Sequence, residues 1–298
     1  MLQTKNVDAQ LKAWTIEQRR HFHMNPELSG QEYETAAYVK KQLAEFGIPL
    51  KDGFSAPNVI GWLEGTEGTK TIALRADMDA LPMMEEGEKP YASKMPGVFH
   101  GCGHDGHTAI LLGVAKWMSQ NRHLVKNNIV FIFQSSEEAS PSGAQQLVKE
   151  GILNGVDAVY GVHLMANLPI GKIGFATGFA MASSDDFDIL IEGVGGHGGQ
   201  PQDAVDPIYI STHLIQAFQS IVSRSLHPLQ AGVISFGGVQ AGNSYNVIPH
   251  EARLQGTIRA LTFEAAELMK KRTEQLTVSI CESFGAKGHY TYIEGTPP

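Results

Sequence analysis

Between positions 100 and 113 the chain reads HGCGHDGHTAILLG, which sets three histidines, a cysteine and an aspartate in eight positions ahead of an apolar run. Three other segments carry similar side chains: RADMDALP with Asp77 and Asp79, SSEE with Glu137 and Glu138, and GVHL with His163. Thiolate, imidazole and carboxylate together form a donor set for divalent metals. Their mixed softness suits Zn²⁺ best, and the carboxylates also admit Mn²⁺ or Co²⁺. Cys102 and His104 flank one glycine, so in extended backbone both side chains fall on the same side and reach one ion. A buried structural cysteine beside helix-capping residues is the other reading of that spacing. Adjacent Glu137 and Glu138 repel and shift each other's pKa unless a cation or a shared proton relieves them. One could bind metal while the other takes a proton from an attacking water and passes it to the leaving group. A solvated acidic pair in a loop would show the same two letters. Lone histidines such as His123, His213 and His227 read as surface or satisfied polar residues.

Groups of this kind need strand ends and helix mouths to hold them. Residues 31–46 place Ala36, Val39, Leu43 and Phe46 at helical spacing, with Gly47 as a stop. NVIGWLEG, TIALRADMD, NNIVFIFQSS and DAVYGVHL read as short buried strands, with helices over 105–118 and 142–150. Strands alternating with helices predict an α/β domain, a mixed and mostly parallel sheet flanked by helices, with the ligand-rich segments where strands end. From about residue 182 the rhythm changes. DDFDILIEG alternates as a strand, DPIYISTHLIQAFQSIVSR opens with an Asp cap and a Pro in the first turn, and AGVISFGGV and EARLQGTIRAL follow as strands. A helix over 263–284 and the strand GHYTYIEG complete a βαββαβ order, which predicts an α+β, ferredoxin-like second domain. Small-residue joints at ATGFAMASS and EGTPP fit the hinges of an inserted domain. The expected bounds are 1–181 for the first domain, 182–294 for the insert and 295–298 for the start of the return.

Composition narrows the partners. Lys and Arg number 23 against 31 Asp and Glu, a formal charge of −8 with no basic cluster, so a nucleic-acid backbone is an unsuitable partner. No apolar run approaches the roughly 18 residues of a membrane span, and MLQTKNVDAQLKAWTIEQRR lacks the order of a signal peptide. A cytoplasmic protein is expected, with Cys102 and Cys281 unpaired and Cys281 in a helix core.

RADMDALP, HGCGHDGHT, SSEEAS, GVHL, GGHGGQPQ and NVIPHEARLQGTIR, in this order, resemble the M20 family of metallopeptidases and amidohydrolases. The likeness spans nearly the whole chain. It is greatest to the branch containing hippurate hydrolases, N-acyl-amino-acid amidohydrolases and plant auxin-conjugate hydrolases. The resemblance implies hydrolysis of the amide of an N-acyl amino acid with two divalent ions per subunit, Zn²⁺ or Mn²⁺, with Co²⁺ and Ni²⁺ as further options. It implies that Cys102, His104, Glu138 and His163 are metal ligands, that Glu137 is the base, and that Asp79 orients a neighbouring group. Asp77 stands where other branches carry a metal-binding histidine, so its role stays open. His100, Asp105 and His107 are expected to fix ring orientations from behind the ligands. For the second domain the resemblance implies a lid and a homodimer contact, with His197 of one subunit stabilising the oxyanion in the other. Asn246 and Arg259 would grip the substrate, the guanidinium on its carboxylate. Family members return to the first domain and supply a later histidine ligand, which lies beyond the end of this sequence. Two other readings remain: a dipeptidase or succinyl-diaminopimelate type of amide hydrolase, and a fragment that binds metal weakly and dimerises without catalysis.

Overall fold

The apolar run NNIVFIFQ becomes a strand buried on both faces, and the first part of the molecule is arranged around it. The computed structural model describes residues 8–139 and 141–298. The last serine of SSEEAS and the first seven residues of the N-terminal stretch lie outside the described residues. The chain divides into two compact units, one through Ile170 and one from Gly171 onward.

The first unit contains α1 (Ala9–Met24), α2 (Tyr33–Glu45), β1 (Val59–Leu63), β2 (Thr71–Asp77), α3 (His104–Gln120), β3 (Asn128–Gln134), α4 (Gly143–Lys149) and β4 (Ala158–Gly161). Its sheet has the order β1-β3-β2-β4; β2 runs parallel to β3 and β4, and β1 pairs antiparallel at the edge. Ile129, Phe131 and Phe133 pack on one face with Phe22, Val39, Leu43 and Leu112 from α1, α2 and α3. Val130 and Ile132 face the other way, onto Leu147 of α4. Coverage of both faces is why β3 reads as an unbroken apolar run. Because β2, β3 and β4 are parallel, their C-terminal ends share one edge, with Asp77 level with Gln134 and Arg75 level with Gly161. Asp77, the segment after Gln134 and the segment after Gly161 therefore emerge side by side.

Helix α1 is an element the sequence reading did not identify. Asp8 starts it by accepting from Leu11 N (2.7 Å), and Leu11, Trp14, Gln18 and Phe22 follow its inward face at steps of three and four.

The second unit contains β5 (Ser184–Glu192), β6 (Gly196–His197), α5 (Pro207–Ser220), β7 (Gly232–Ala241), β8 (Val247–Ile248), β9 (Glu251–Ala260), α6 (Phe263–Ser283) and β10 (Lys287–Thr296). Its main sheet is antiparallel throughout, in the order β10-β5-β9-β7. Phe187, Ile189 and Ile191 alternate inward on β5 and meet Ile210, Leu214 and Phe218 of α5 and Met269 of α6. The reverse face is polar; there Arg253 grips Asp188 through Nε and Nη2. Asp206 caps α5 by accepting from Ile208 N (2.9 Å), with Pro207 at the first helical position. Cys281 is buried in the core of this unit. The residue just ahead of β5 is tied to this unit, Ser183 N donating to Ala260 O (2.7 Å). At the other end β10 runs to Thr296, so strand occupies part of the stretch 295–298. No helix among the described residues is long and apolar enough to cross a membrane.

Candidate metal centre

At the shared edge of the first sheet, Cys102, His104 and His163 converge so that one donor atom from each lies within 4.8 Å of the others. Cys102 Sγ and His163 Nε2 are 3.5 Å apart. His104, Glu137 and Glu138 form a second triangle of the same size, sharing His104 with the first. The route by which Cys102 and His104 meet differs from the extended backbone expected. Gly103 is left-handed (φ 88°) and sits at the N-cap of α3, so a tight turn swings His104 into the first helical position. Only glycine adopts that conformation without steric cost.

Hydrogen bonds fix which ring nitrogen of each histidine faces the centre. His104 Nδ1 donates to Asp79 O (2.9 Å) and Oδ1 (3.1 Å). Its Nε2 is buried without a partner and faces Asp77 Oδ2 (3.7 Å), Glu138 Oε1 (3.8 Å) and Glu137 Oε2 (3.9 Å). His163 Nδ1 donates to Leu164 O (2.8 Å), leaving Nε2 toward Cys102. In His107 both nitrogens are taken: Nε2 accepts from Leu164 N (2.8 Å), so Nδ1 donates to Asp77 Oδ1 (2.6 Å). His107 thus braces the segment that carries His163 and leaves no lone pair for an ion.

A buried imidazole lone pair facing three carboxylate oxygens is mutually repulsive unless a cation lies between them or the ring takes up a second proton. These residues fit a divalent ion, and the soft sulfur with two imidazoles and the carboxylates fits a transition metal. The electrostatics agree. Burial opposes ionisation of Asp77, yet the His107 hydrogen bond and the Arg75 guanidinium (Nη1 at 2.7 Å) hold its carboxyl well below the usual range. Burial, and then the charges of Glu138 and Asp77, raise Glu137. Burial first, and then Glu138, push the Cys102 thiol up to about 12. A bound cation reverses that last effect, because a metal-ligating thiol gives up its proton.

Several residues behind the centre carry no sign in the sequence of what they do. Ser29 donates to Asp79 Oδ2 (2.7 Å), which also accepts from Glu138 N (2.9 Å). His23 of α1 joins Asp105 Oδ2 (2.8 Å) to Glu85 Oε1 (3.0 Å). Glu85 also takes Lys89 Nζ (2.6 Å) and Ser93 N (2.7 Å), which pins the loop between β2 and α3. Of the three residues expected to steady ligand rings, His107 steadies the His163 segment and Asp105 holds His23 instead of a ligand. His100 steadies nothing. It is buried with no hydrogen bond at either ring nitrogen, and burial lowers its pKa to about 4.

In the second unit, His197 on β6 lies opposite Val247 of β8, and Gly198 N donates to Asn246 O (2.8 Å). His197 is exposed and lines a groove of about 820 Å³ with Gln240, Asn243, Val247 and His250. Asn246 and Arg259 lie outside that lining. Arg259 Nη1 is bonded to Thr257 Oγ1, Ile258 O (3.0 Å) and Asp185 O (3.4 Å) within its own unit.

The chain is also similar to known proteins over most of its length. The chain is 41% identical over 294 residues to an N-acyl-L-amino acid amidohydrolase of Geobacillus stearothermophilus, covering 99% of this chain and 80% of that protein. It is 41% identical over 283 residues to an N-acetylcysteine deacetylase of Bacillus subtilis, covering 95% and 74%. Among solved structures, a dinuclear metal-binding M20 peptidase of Bacillus subtilis superposes with a TM-score of 0.83 at 36% identity, over 97% of this chain and 76% of that one. The model of peptidase family M20/M25/M40 matches residues 73–295. With a donor cluster of this composition at the strand ends and the family pattern across most of its length, the chain belongs to peptidase family M20/M25/M40.

Proposed function

We propose that this protein hydrolyses the amide bond of N-acyl amino acids, with two divalent ions held by Cys102, His104, Glu138 and His163. The observation that carries the reading is the buried, partnerless Nε2 of His104, which faces three carboxylates beside the Cys102–His163 pair. When bound, such ions lower the pKa of water and polarise an acyl carbonyl.

The chain's own groups supply the rest. Glu137 is the more exposed of the two glutamates, with 36% of its side chain accessible against 26% for Glu138. Its Oε2 takes the proton of the attacking water and returns it to the departing nitrogen. Glu138, whose amide is anchored on Asp79, stays a ligand. His197, supplied by the partner in a homodimer, stabilises the charge that develops on the carbonyl oxygen, and Asn246 and Arg259 hold the free carboxylate of the substrate. The names of the bacterial relatives favour acyl amino acids over dipeptides. Two unpaired cysteines suit a reducing, cytoplasmic setting.

The test is hydrolysis of acetylmethionine, benzoylglycine and a dipeptide panel in the presence of Zn²⁺ or Mn²⁺. Acyl amino acids are expected to turn over fastest, and Glu137→Ala to abolish turnover while metal content is unchanged. Preference for dipeptides would overturn the substrate assignment, and near-normal turnover by Glu137→Ala the assignment of the base.

A further inference from the structure

Three backbone amides of the segment carrying Glu137 and Glu138 are captured by side chains from three separate parts of the first unit. Ser135 N donates to Asn58 Oδ1 (2.8 Å), Ser136 N to Glu32 Oε1 (2.6 Å) and Glu138 N to Asp79 Oδ2 (2.9 Å). Ser136 is the one non-glycine residue with positive φ (51°) among the described residues. A residue with a side chain holds that conformation only where its surroundings enforce it, and such outliers gather at functional sites. Its carbonyl is tied as well, accepting from Gly143 N (2.9 Å). Glu32 is wholly buried, spends Oε1 on Ser136 and leaves Oε2 without a partner. An interior carboxylate with one idle oxygen is a costly way to build a core.

We infer that Glu32 is a positioning residue: its carboxylate holds Ser136 left-handed, and that turn sets the directions in which Glu137 and Glu138 leave the backbone. Without it, Ser136 relaxes to an ordinary conformation and both carboxylates rotate away from His104. The inference rests on the reading of Glu138 as a metal ligand and Glu137 as the base.

The experiment measures Zn²⁺ affinity by chelator competition and amide exchange by NMR on the full chain, for Glu32→Ala and Glu32→Gln, each alone and with Glu138→Ala. Glu32→Ala is expected to weaken Zn²⁺ binding about 10- to 100-fold, the usual effect of losing a group behind a ligand. Glu32→Gln keeps an acceptor for Ser136 N and stays within about threefold. In the Glu138→Ala background, Glu32→Ala adds no further loss. Binding by Glu32→Ala close to that of the unaltered chain would overturn the inference, as would an equal loss with Glu138 absent, which marks general loosening. If the unaltered chain binds no Zn²⁺, the metal reading falls and exchange decides the clamp. Faster exchange of the Ser136 amide in Glu32→Ala than in Glu32→Gln keeps it, and equal exchange overturns it. Where Glu32→Ala does not fold, it is repeated with Ser136→Gly, for which the left-handed state carries no steric cost. Recovery of folding and binding supports the clamp, and no recovery overturns it.

Discussion

Replacing Asp79 with asparagine keeps the shape of the side chain and removes one acceptor from a carboxylate on which three donors converge. Ser29 Oγ and Glu138 N meet Oδ2 at 2.7 and 2.9 Å, and His104 Nδ1 meets Oδ1 at 3.1 Å. Ser29 can turn its hydroxyl around and accept; the Glu138 amide and the His104 ring N–H cannot. If the asparagine oxygen stays with Glu138, its NH₂ faces the His104 N–H, and if it stays with His104, the NH₂ faces the Glu138 amide. In the first case the His104 N–H keeps its shorter bond to Asp79 O (2.9 Å) and the NH₂ is left unpaired beside it; in the second the Glu138 amide is, and either way an unpaired donor sits at a position 1% exposed, at a cost of about 1–3 kcal/mol. A shift of the ring proton to Nε2 relieves the first clash only by blocking the atom that faces the carboxylates. Both donors belong to proposed ligands, so metal binding bears the loss, which corresponds to roughly 5- to 150-fold in Zn²⁺ affinity. Chelator competition with Zn²⁺ reads it directly, with thermal melts of the metal-free chain run alongside to separate binding from stability. Zn²⁺ affinity within about twofold of the unaltered chain, with an unchanged melt, would refute this account of how His104 and Glu138 are held.

Gly103→Ala forces a side chain into φ 88° and brings its Cβ to 3.4 Å from Leu164 Cβ. A loss of about 1–2 kcal/mol in denaturant titrations and weaker Zn²⁺ binding are expected; an unchanged midpoint would show that the turn relaxes. Glu32 gives a pH signature. Burial, with the charge of Asp79 adding to it, raises its folded pKa from 4.5 to about 7 against the pull of the Ser136 amide. Between those values the folded state binds more protons, so this group's contribution to stability is full below about 4.5 and falls by up to roughly 3 kcal/mol as pH rises through 7. Glu32→Gln removes that slope and should gain on the unaltered chain between pH ~5 and ~8 in denaturant melts; a constant difference would contradict it. Glu85→Ala frees Ser93 N, Lys89 Nζ and the Nε2 of His23 at once. Hydrogen exchange at Ser93 should speed up, and exchange as slow as in the unaltered chain would mean that the loop is held by other contacts.

Much of this was legible because it is local. The apolar run of β3, the three-and-four spacing of α2 and the Asp206–Pro207 start of α5 each announce their element within a few residues. The segments whose donors converge were legible for a similar reason, since cysteine, histidine and paired glutamates are rarely gathered so densely without chemistry to perform. Helix α1 escaped notice because its inward face includes polar Gln18, and neighbouring His23 is buried as well. Backbone state was hidden too. A serine gives no sign of the left-handed conformation of Ser136, and the glycine between Cys102 and His104 was compatible with an extended strand. The supporting groups were beyond local reading, because Ser29 meets Asp79 fifty positions away and Glu32 meets Ser136 at 104. Only the folded sheet brings them together. Strands of two residues, such as β6 and β8, are too short for any periodicity to show.

The central claim is that these donors hold divalent metal. Elemental analysis of the purified chain after dialysis against buffered Zn²⁺, compared with His104→Ala, tests it most directly. The account predicts about two ions per chain in the unaltered protein. A marked loss is expected in His104→Ala, because His104 belongs to every donor triangle at this site, the one with Asp77 and His107 included. Less than one ion per chain, or a full complement retained by His104→Ala, would contradict it.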